Sequence, residues 1–210
     1  MKAAATRRGL LDAAGVVFAT SGYRGCSLEE IAQMAGVSKA VLYEHFDTKR
    51  ELHGELVEAR ATELFERLQR AAERGETGEA RLRDGIGAFL DFVDEHRVEW
   101  RGLFSDSGDP EISATLAALD QQVVAVVAGL LAAEPDILGD PDADPAARAL
   151  MLEAHAQLLV GAIRTLTAWW YDHDGVSAEF VLDRAMEFCW LGMARIGAGE
   201  RVGGGPGDAS

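Results

Sequence analysis

The stretch SLEEIAQMAGVSKAVLYEHFDTK, residues 27 to 49, decides how the rest of the chain is read. Ser27 followed by Glu30 has the capping-box spacing: the hydroxyl accepts from the third helical N–H while the carboxylate reaches back to the cap. A helix therefore starts at residue 28, with Ile31 and Ala32 turned inward. Gly36 ends it, because a tight turn wants a residue that tolerates positive φ. Ser38 is the next N-cap candidate, and Val41 and Leu42 are apolar positions of a second helix running to about His45.

The spacing ties the two helices together. Ala32, Gly36, Val37 and Leu42 stand at offsets 0, 4, 5 and 10, which lets two helices pack steeply through a short turn. This is a helix-turn-helix, and it leaves Ser38, Lys39, Ala40, Tyr43 and His45 on the outward side, none of them an acid. Such a face can enter a DNA major groove.

The pattern AxxAGVSKAVLYEHFxxKxxL, Ala32 to Leu52, resembles the DNA-binding end of the TetR family of bacterial one-component regulators. Upstream, TRRGLLDAAGVVFATSGYRGCS, residues 6 to 27, is similar to the family's first helix and its Gly-Tyr exit. The resemblance implies an all-α fold: an N-terminal three-helix DNA-binding domain at 1–50, a helical effector-binding and dimerisation domain at 51–197, and a disordered Gly-rich tail at 198–210. It also implies DNA contacts. Arg7, at the start of the first helix, would lie on the DNA backbone, and Tyr43 would donate to a phosphate. Ser38, Lys39 and Ala40 open the recognition helix, His45 suits the backbone, and Ser27 and Lys49 would clamp phosphates at the flanks. Val41 departs from the hydroxyl residue common at its place in the family, although its methyl could meet a thymine methyl. A ligand cavity is implied too, with Phe89, Phe92, Trp100, Phe104 and His155 as candidate lining residues against the plainer reading of each as core.

Charge looks contrary to DNA binding until the chain is divided. The 210 residues carry a net charge of −15. Residues 1–52 hold seven Lys and Arg against six Asp and Glu, a net of +1, while the remainder holds 13 against 29. All three lysines lie in the first segment, as expected of a DNA-contacting end on an acidic body. A net of +1 is weak for a lone module, so the unit is expected to bind as one of a pair. The acidic body favours cationic or neutral effectors over anionic ones.

Other classes are disfavoured. The N-terminus lacks the apolar region of a signal peptide, and the longest apolar run, Val123 to Ala133, is 11 residues, so no membrane span is expected and the protein is read as cytoplasmic. Cys26 and Cys189 lie far apart and suit neither a disulfide framework nor a metal site. A di-metal bundle enzyme typically displays Glu-x-x-His. The residues three before the five histidines are Leu42, Arg50, Val93, Leu152 and Trp170, none a carboxylate. No P-loop or dinucleotide fingerprint is present, so neither an enzyme, a metal nor a cofactor is expected. The alternatives to a ligand-responsive regulator are a helical-bundle enzyme and an interaction protein that has lost DNA binding.

Further along, helical periodicity predicts a first helix over Thr6 to Thr20 after frayed residues 1–5, and a fourth helix, capped by Thr48, running to about Arg74. Five more helical pieces are expected: 81–98, a short Trp100–Phe104 segment, 110–134, 145–171 and 178–197. The last two are apolar nearly all round, and Gly161, Ala162 and Gly192 permit close approach, so a homodimer through these helices is expected. Two-fold symmetry would set two recognition helices about 34–36 Å apart on a palindromic operator.

Overall fold

A computed structural model of the chain describes residues 2–99, 110–134 and 144–197. Among these residues the elements are α1 (Lys2–Gly25), α2 (Leu28–Met34), α3 (Lys39–Tyr43), α4 (Lys49–Arg74), α5 (Gly78–Glu95), α6 (Pro110–Ala132), α7 (Pro145–Tyr171) and α8 (Ala178–Gly197). The Trp100–Phe104 segment, most of the Pro- and Asp-rich loop and the Gly-rich tail lie outside the described residues. The first helix begins at Lys2 rather than Thr6, so residues 2–5, expected to fray, are helical.

The chain divides into two compact units. The first is formed by the described residues of 1–66 and 92–119. Its core gathers Leu10, Ala14, Val17 and Phe18 from α1, Leu28, Ile31 and Ala32 from α2, Leu42 from α3, then Phe46, and Leu52, Leu56 and Val57 from α4. Each fully buried leucine or phenylalanine contributes roughly 1.5–3 kcal/mol. Leu116 and Leu119 at the start of α6 also pack on this core, so it extends beyond the three-helix head expected from the sequence.

Local rules set the boundaries in this unit. Gly22, at φ 70° and ψ 159°, takes a conformation essentially confined to glycine and kinks α1 before Tyr23. The Ser27 hydroxyl accepts from the Glu30 N–H at 3.2 Å and the Glu30 carboxylate accepts from the Ser27 N–H at 2.7 Å, completing the capping box. At the other end of α2, Gly36 has φ 69°. Its N–H donates to the Gln33 carbonyl at 3.1 Å and that of Val37 to Ala32 at 3.0 Å, a Schellman closure that turns the chain into α3. Ser38 caps α3 by accepting from the Val41 N–H, and Thr48 caps α4 by accepting from Glu51 at 3.1 Å.

The second unit comprises the described residues of 67–91 and 120–210. Val124 and Leu131 of α6, Leu152 and Ala156 of α7 and Met193 of α8 make its core, flanked by Leu82 of α5. Ion pairs brace it at the rim: Arg83 with Asp183 at 3.1 Å and Arg164 with Asp120 at 2.8 Å. Asp144 caps α7 ahead of Pro145, and the Trp170 indole N–H donates to the Val176 carbonyl at 2.7 Å, fastening the turn into α8. The segment Ser113–Ala132 is, by length and composition, apolar enough to cross a membrane, longer than the 11-residue run suggested. It carries the Asp120–Arg164 pair and supplies core residues to this unit, as a helix of a globular body does.

Candidate nucleic-acid interface

α3 stands on one anchor. Leu42 is fully buried, while Ser38, Lys39, Ala40 and Tyr43 are exposed and Val41 and His45 are half-buried. Sequence reasoning placed no acid on this face, but Glu44, the C-cap residue, is exposed beside Tyr43. Lys39 pairs with Glu29 on α2, and its ammonium lies 5.6 Å from the centre of the Tyr43 ring. That pairing holds the Lys39 pKa above its ordinary value and the Glu29 carboxyl below its own, chiefly through the hydrogen bond between them. A phosphate approaching Lys39 would compete with Glu29.

Residues expected at the flanks have internal partners. The Arg7 guanidinium makes a two-pronged contact with the Glu55 carboxylate, donates to the His45 carbonyl at 2.8 Å and lies over the Phe46 ring at 4.4 Å. The structure thus places Arg7 as a clamp joining α1, the end of α3 and α4, whereas the expectation was a phosphate contact. Arg8, exposed one residue on, is a cation that the start of α1 presents outward. The Ser27 hydroxyl is engaged in the capping box. Lys49 Nζ donates to the Tyr23 carbonyl at 2.6 Å and the Cys26 carbonyl at 2.8 Å, with the Tyr23 ring 4.8 Å away. An ammonium has three donors, so one remains.

Behind this surface, Arg60 on α4 is nearly buried, with 11% of its side chain exposed, and holds Asp12 of α1 at 3.0 Å and Glu99 at 2.9 Å. Burial lowers its pKa, but the hydrogen bond to Asp12 and the charge of Glu99 outweigh that and leave it raised. Gly15 makes room for this arrangement: a Cβ there would stand 2.5 Å from the Glu99 carboxyl carbon. Sequence reasoning missed this network because its members are up to 87 positions apart and only tertiary packing brings them together.

Of the expected effector residues, three are described, one in the first unit and two in the second. Phe92 is fully buried in the first unit, its ring 4.6 Å from that of His96, and so serves as core. Phe89 and His155 are half-buried in the second unit, where His155 Nδ1 lies 2.8 Å from the Met151 carbonyl of its own helix. Trp100 and Phe104 fall outside the described residues.

Residues 10–56 match the bacterial regulatory proteins of the tetR family, and residues 79–192 match the tetracyclin repressor-like C-terminal domain. The chain belongs to the TetR family. It is 28% identical over 194 residues to the HTH-type transcriptional activator FasR of Mycolicibacterium smegmatis, covering 90% of this chain and 84% of that one. It is 30% identical over 88 residues to the HTH-type transcriptional repressor KstR2 of Rhodococcus jostii, covering 42% and 43% of the two chains. Among solved structures, a TetR-like transcriptional regulator from a Rhodococcus species superposes with a TM-score of 0.71 at 24% identity, over 90% of this chain and 96% of the other. TetR proteins are transcriptional regulators, not enzymes, and the bundle-enzyme alternative falls with that assignment. α2 and α3, inside the matched residues 10–56, are thus the helix-turn-helix of a TetR-family transcriptional regulator.

Proposed function

We propose that the chain is a ligand-responsive repressor in the cytoplasm, binding a palindromic operator as a homodimer and released from it by a small-molecule effector. The observation that carries the DNA-reading assignment is the posture of α3: Leu42 alone is buried, and Ser38, Lys39, Ala40 and Tyr43 face out. Val41 and His45 stand at the edge of that surface, and Lys49 has one donor left for a phosphate. The division of labour places DNA reading in residues 1–50 and effector binding with dimerisation in 51–197.

The homodimer reading rests on an apolar face that the second unit leaves uncovered. Leu150, Leu158 and Trp169 on α7 and Phe180, Phe188 and Leu191 on α8 are exposed, Phe188 by 77% and Leu158 by 71%. Cβ atoms at Gly161 and Gly192 would meet nothing within 4 Å. Two copies of this face can form a four-helix interface, which a net charge of only +1 in the reading segment also calls for.

In the mechanism that fits, an effector binds one of two conformations better, shifts α4 and alters the separation of two reading heads. Repression is the preferred sign because it needs only occupancy of the promoter, whereas activation also needs a surface that engages polymerase. The relative named as an activator keeps the second sign under test.

The deciding experiment is selection of bound fragments from genomic DNA by the purified protein. An enriched palindrome supports the reading; no enrichment overturns it. Transcription from the selected promoter in vitro then gives the sign: added protein lowers transcript for a repressor and raises it for an activator.

A further inference from the structure

We propose that Glu63, Glu95 and His96 form a binding site for a first-row divalent metal ion, with zinc as its prototype. Glu63 lies on α4, Glu95 closes α5 and His96 follows it; one donor atom from each falls within 4.8 Å of the other two. His96 Nε2 stands 3.4 Å from the nearer Glu63 oxygen. Two donors each about 2.0–2.1 Å from zinc at a tetrahedral angle stand roughly 3.3–3.4 Å apart, so this pair already has the spacing of one edge of a zinc site.

The second observation is His96 Nε2 itself, which is shut off from solvent and makes no hydrogen bond. A buried imidazole nitrogen normally has a partner, and a metal ion is one. The ring is held for that role. It packs at a tilt against the Phe92 ring, 4.6 Å between centres, and Nδ1 lies 3.8 Å from the Glu99 carboxylate, the kind of outer carboxylate that orients a ligating histidine. Glu99 is fixed in turn by Arg60, which also stands 3.7 Å from Glu63. The carboxylates of Asp12, Glu63, Glu95 and Glu99 thus gather around Arg60 and His96, at the C-terminal end of α5, where a helix favours cations.

One imidazole and two carboxylates, with no thiolate, suit Zn²⁺, Co²⁺ or Mn²⁺, and the exposed Glu95 gives an ion a route in. The sequence reading expected no metal, because the usual signal is linear spacing and here Glu63 is 33 positions from His96. All three residues belong to the unit that carries the reading helix, so an ion would tie α4 to the end of α5.

The test uses tag-free, chelator-stripped full-length protein titrated with Co²⁺ and then Zn²⁺. The expected result is saturable Co²⁺ binding with visible d–d bands, their loss on adding Zn²⁺, and a raised Tm. Glu63→Gln and His96→Gln should each weaken binding about 10- to 100-fold with the helical circular dichroism retained. His173→Gln, at an exposed histidine in the other unit, should leave it unchanged. Absence of saturable binding by the folded wild-type chain, or binding that survives both Glu63→Gln and His96→Gln, overturns the site.

Discussion

Lys49 Nζ and the Tyr23 carbonyl oxygen lie 2.6 Å apart, which makes the first residue of α4 a fastener for the end of α1. The kink at Gly22 positions Tyr23 for it, and the Cys26 carbonyl accepts a second bond. Lys49→Met keeps the aliphatic stem and deletes both bonds. We expect it to destabilise the protein by about 1–2 kcal/mol in urea unfolding. If the third donor reaches a phosphate, the same variant also lowers the slope of log affinity against log salt by roughly one unit. A lost slope without lost stability would contradict the fastening role.

Arg7 should behave in the opposite way. Its partners are Glu55, the His45 carbonyl and the Phe46 ring, all within the protein. Arg7→Ala is expected to cost about 1–2 kcal/mol of stability, because Glu55 and the carbonyl lose a charged donor. The salt slope of operator binding should stay put. A drop of one unit would return Arg7 to the phosphate contacts expected from the sequence.

These two cations show what the sequence could and could not tell. Capping boxes, positive-φ glycines and apolar periodicity act within a few residues, so Ser27 with Glu30, Gly36, Ser38 and the spans of α7 and α8 were legible directly. An arginine or lysine at the edge of a helix-turn-helix was legible as a cation and no further. Whether it meets a phosphate or an internal acceptor depends on which residues packing brings alongside. Arg7 finds Glu55 across 48 positions, and Lys49 finds Tyr23 across 26. The same reason hid the acid next to the recognition helix, since Glu29 reaches Lys39 only once α2 and α3 cross.

Glu29 is accordingly expected to act as a brake on DNA binding through its pair with Lys39. Glu29→Gln removes a negative charge near the groove-facing surface and frees Lys39, so operator affinity should rise on the order of 2- to 5-fold, the worth of an exposed ion pair. The gain should shrink with added salt. The pH dependence follows from the depressed Glu29 carboxyl: the pair is intact above its ordinary value of 4.5 and is lost as pH falls through the lower folded value. Fluorescence anisotropy with labelled operator measures the affinity, and equal affinities for variant and wild type at low salt would remove Glu29 from this role.

Cys26 offers a probe of how often the reading head opens. Burial pushes its thiol pKa up, partly offset by the charge of Lys49, so less thiolate exists at any given pH than for a free cysteine. In a Cys189→Ala background, alkylation of Cys26 at mildly alkaline pH should be at least roughly tenfold slower in the native protein than after unfolding. Lys49→Met also removes the charge that lowers the thiol pKa, yet it should accelerate the reaction, because losing the bonds to the Tyr23 and Cys26 carbonyls loosens the segment that covers the thiol. Equal rates in the native and unfolded protein would show a thiol that the head does not protect.

The uncovered face of α7 and α8 yields the test that links assembly to DNA reading. Phe188 is exposed on α8, one turn from Arg184 and Leu191, and a second copy of the chain is the proposed cover. Phe188→Glu places a charge where two such faces would meet, and burying an unpaired carboxylate is costly enough to separate them. Sedimentation should show a monomer at concentrations where the wild type is a dimer. Because a second head bound on the same duplex raises apparent affinity by effective concentration, operator binding should weaken by about 100-fold or more even though α3 is untouched. A monomeric variant with wild-type operator affinity would mean that one head suffices, and a dimeric variant would move the interface away from Phe188.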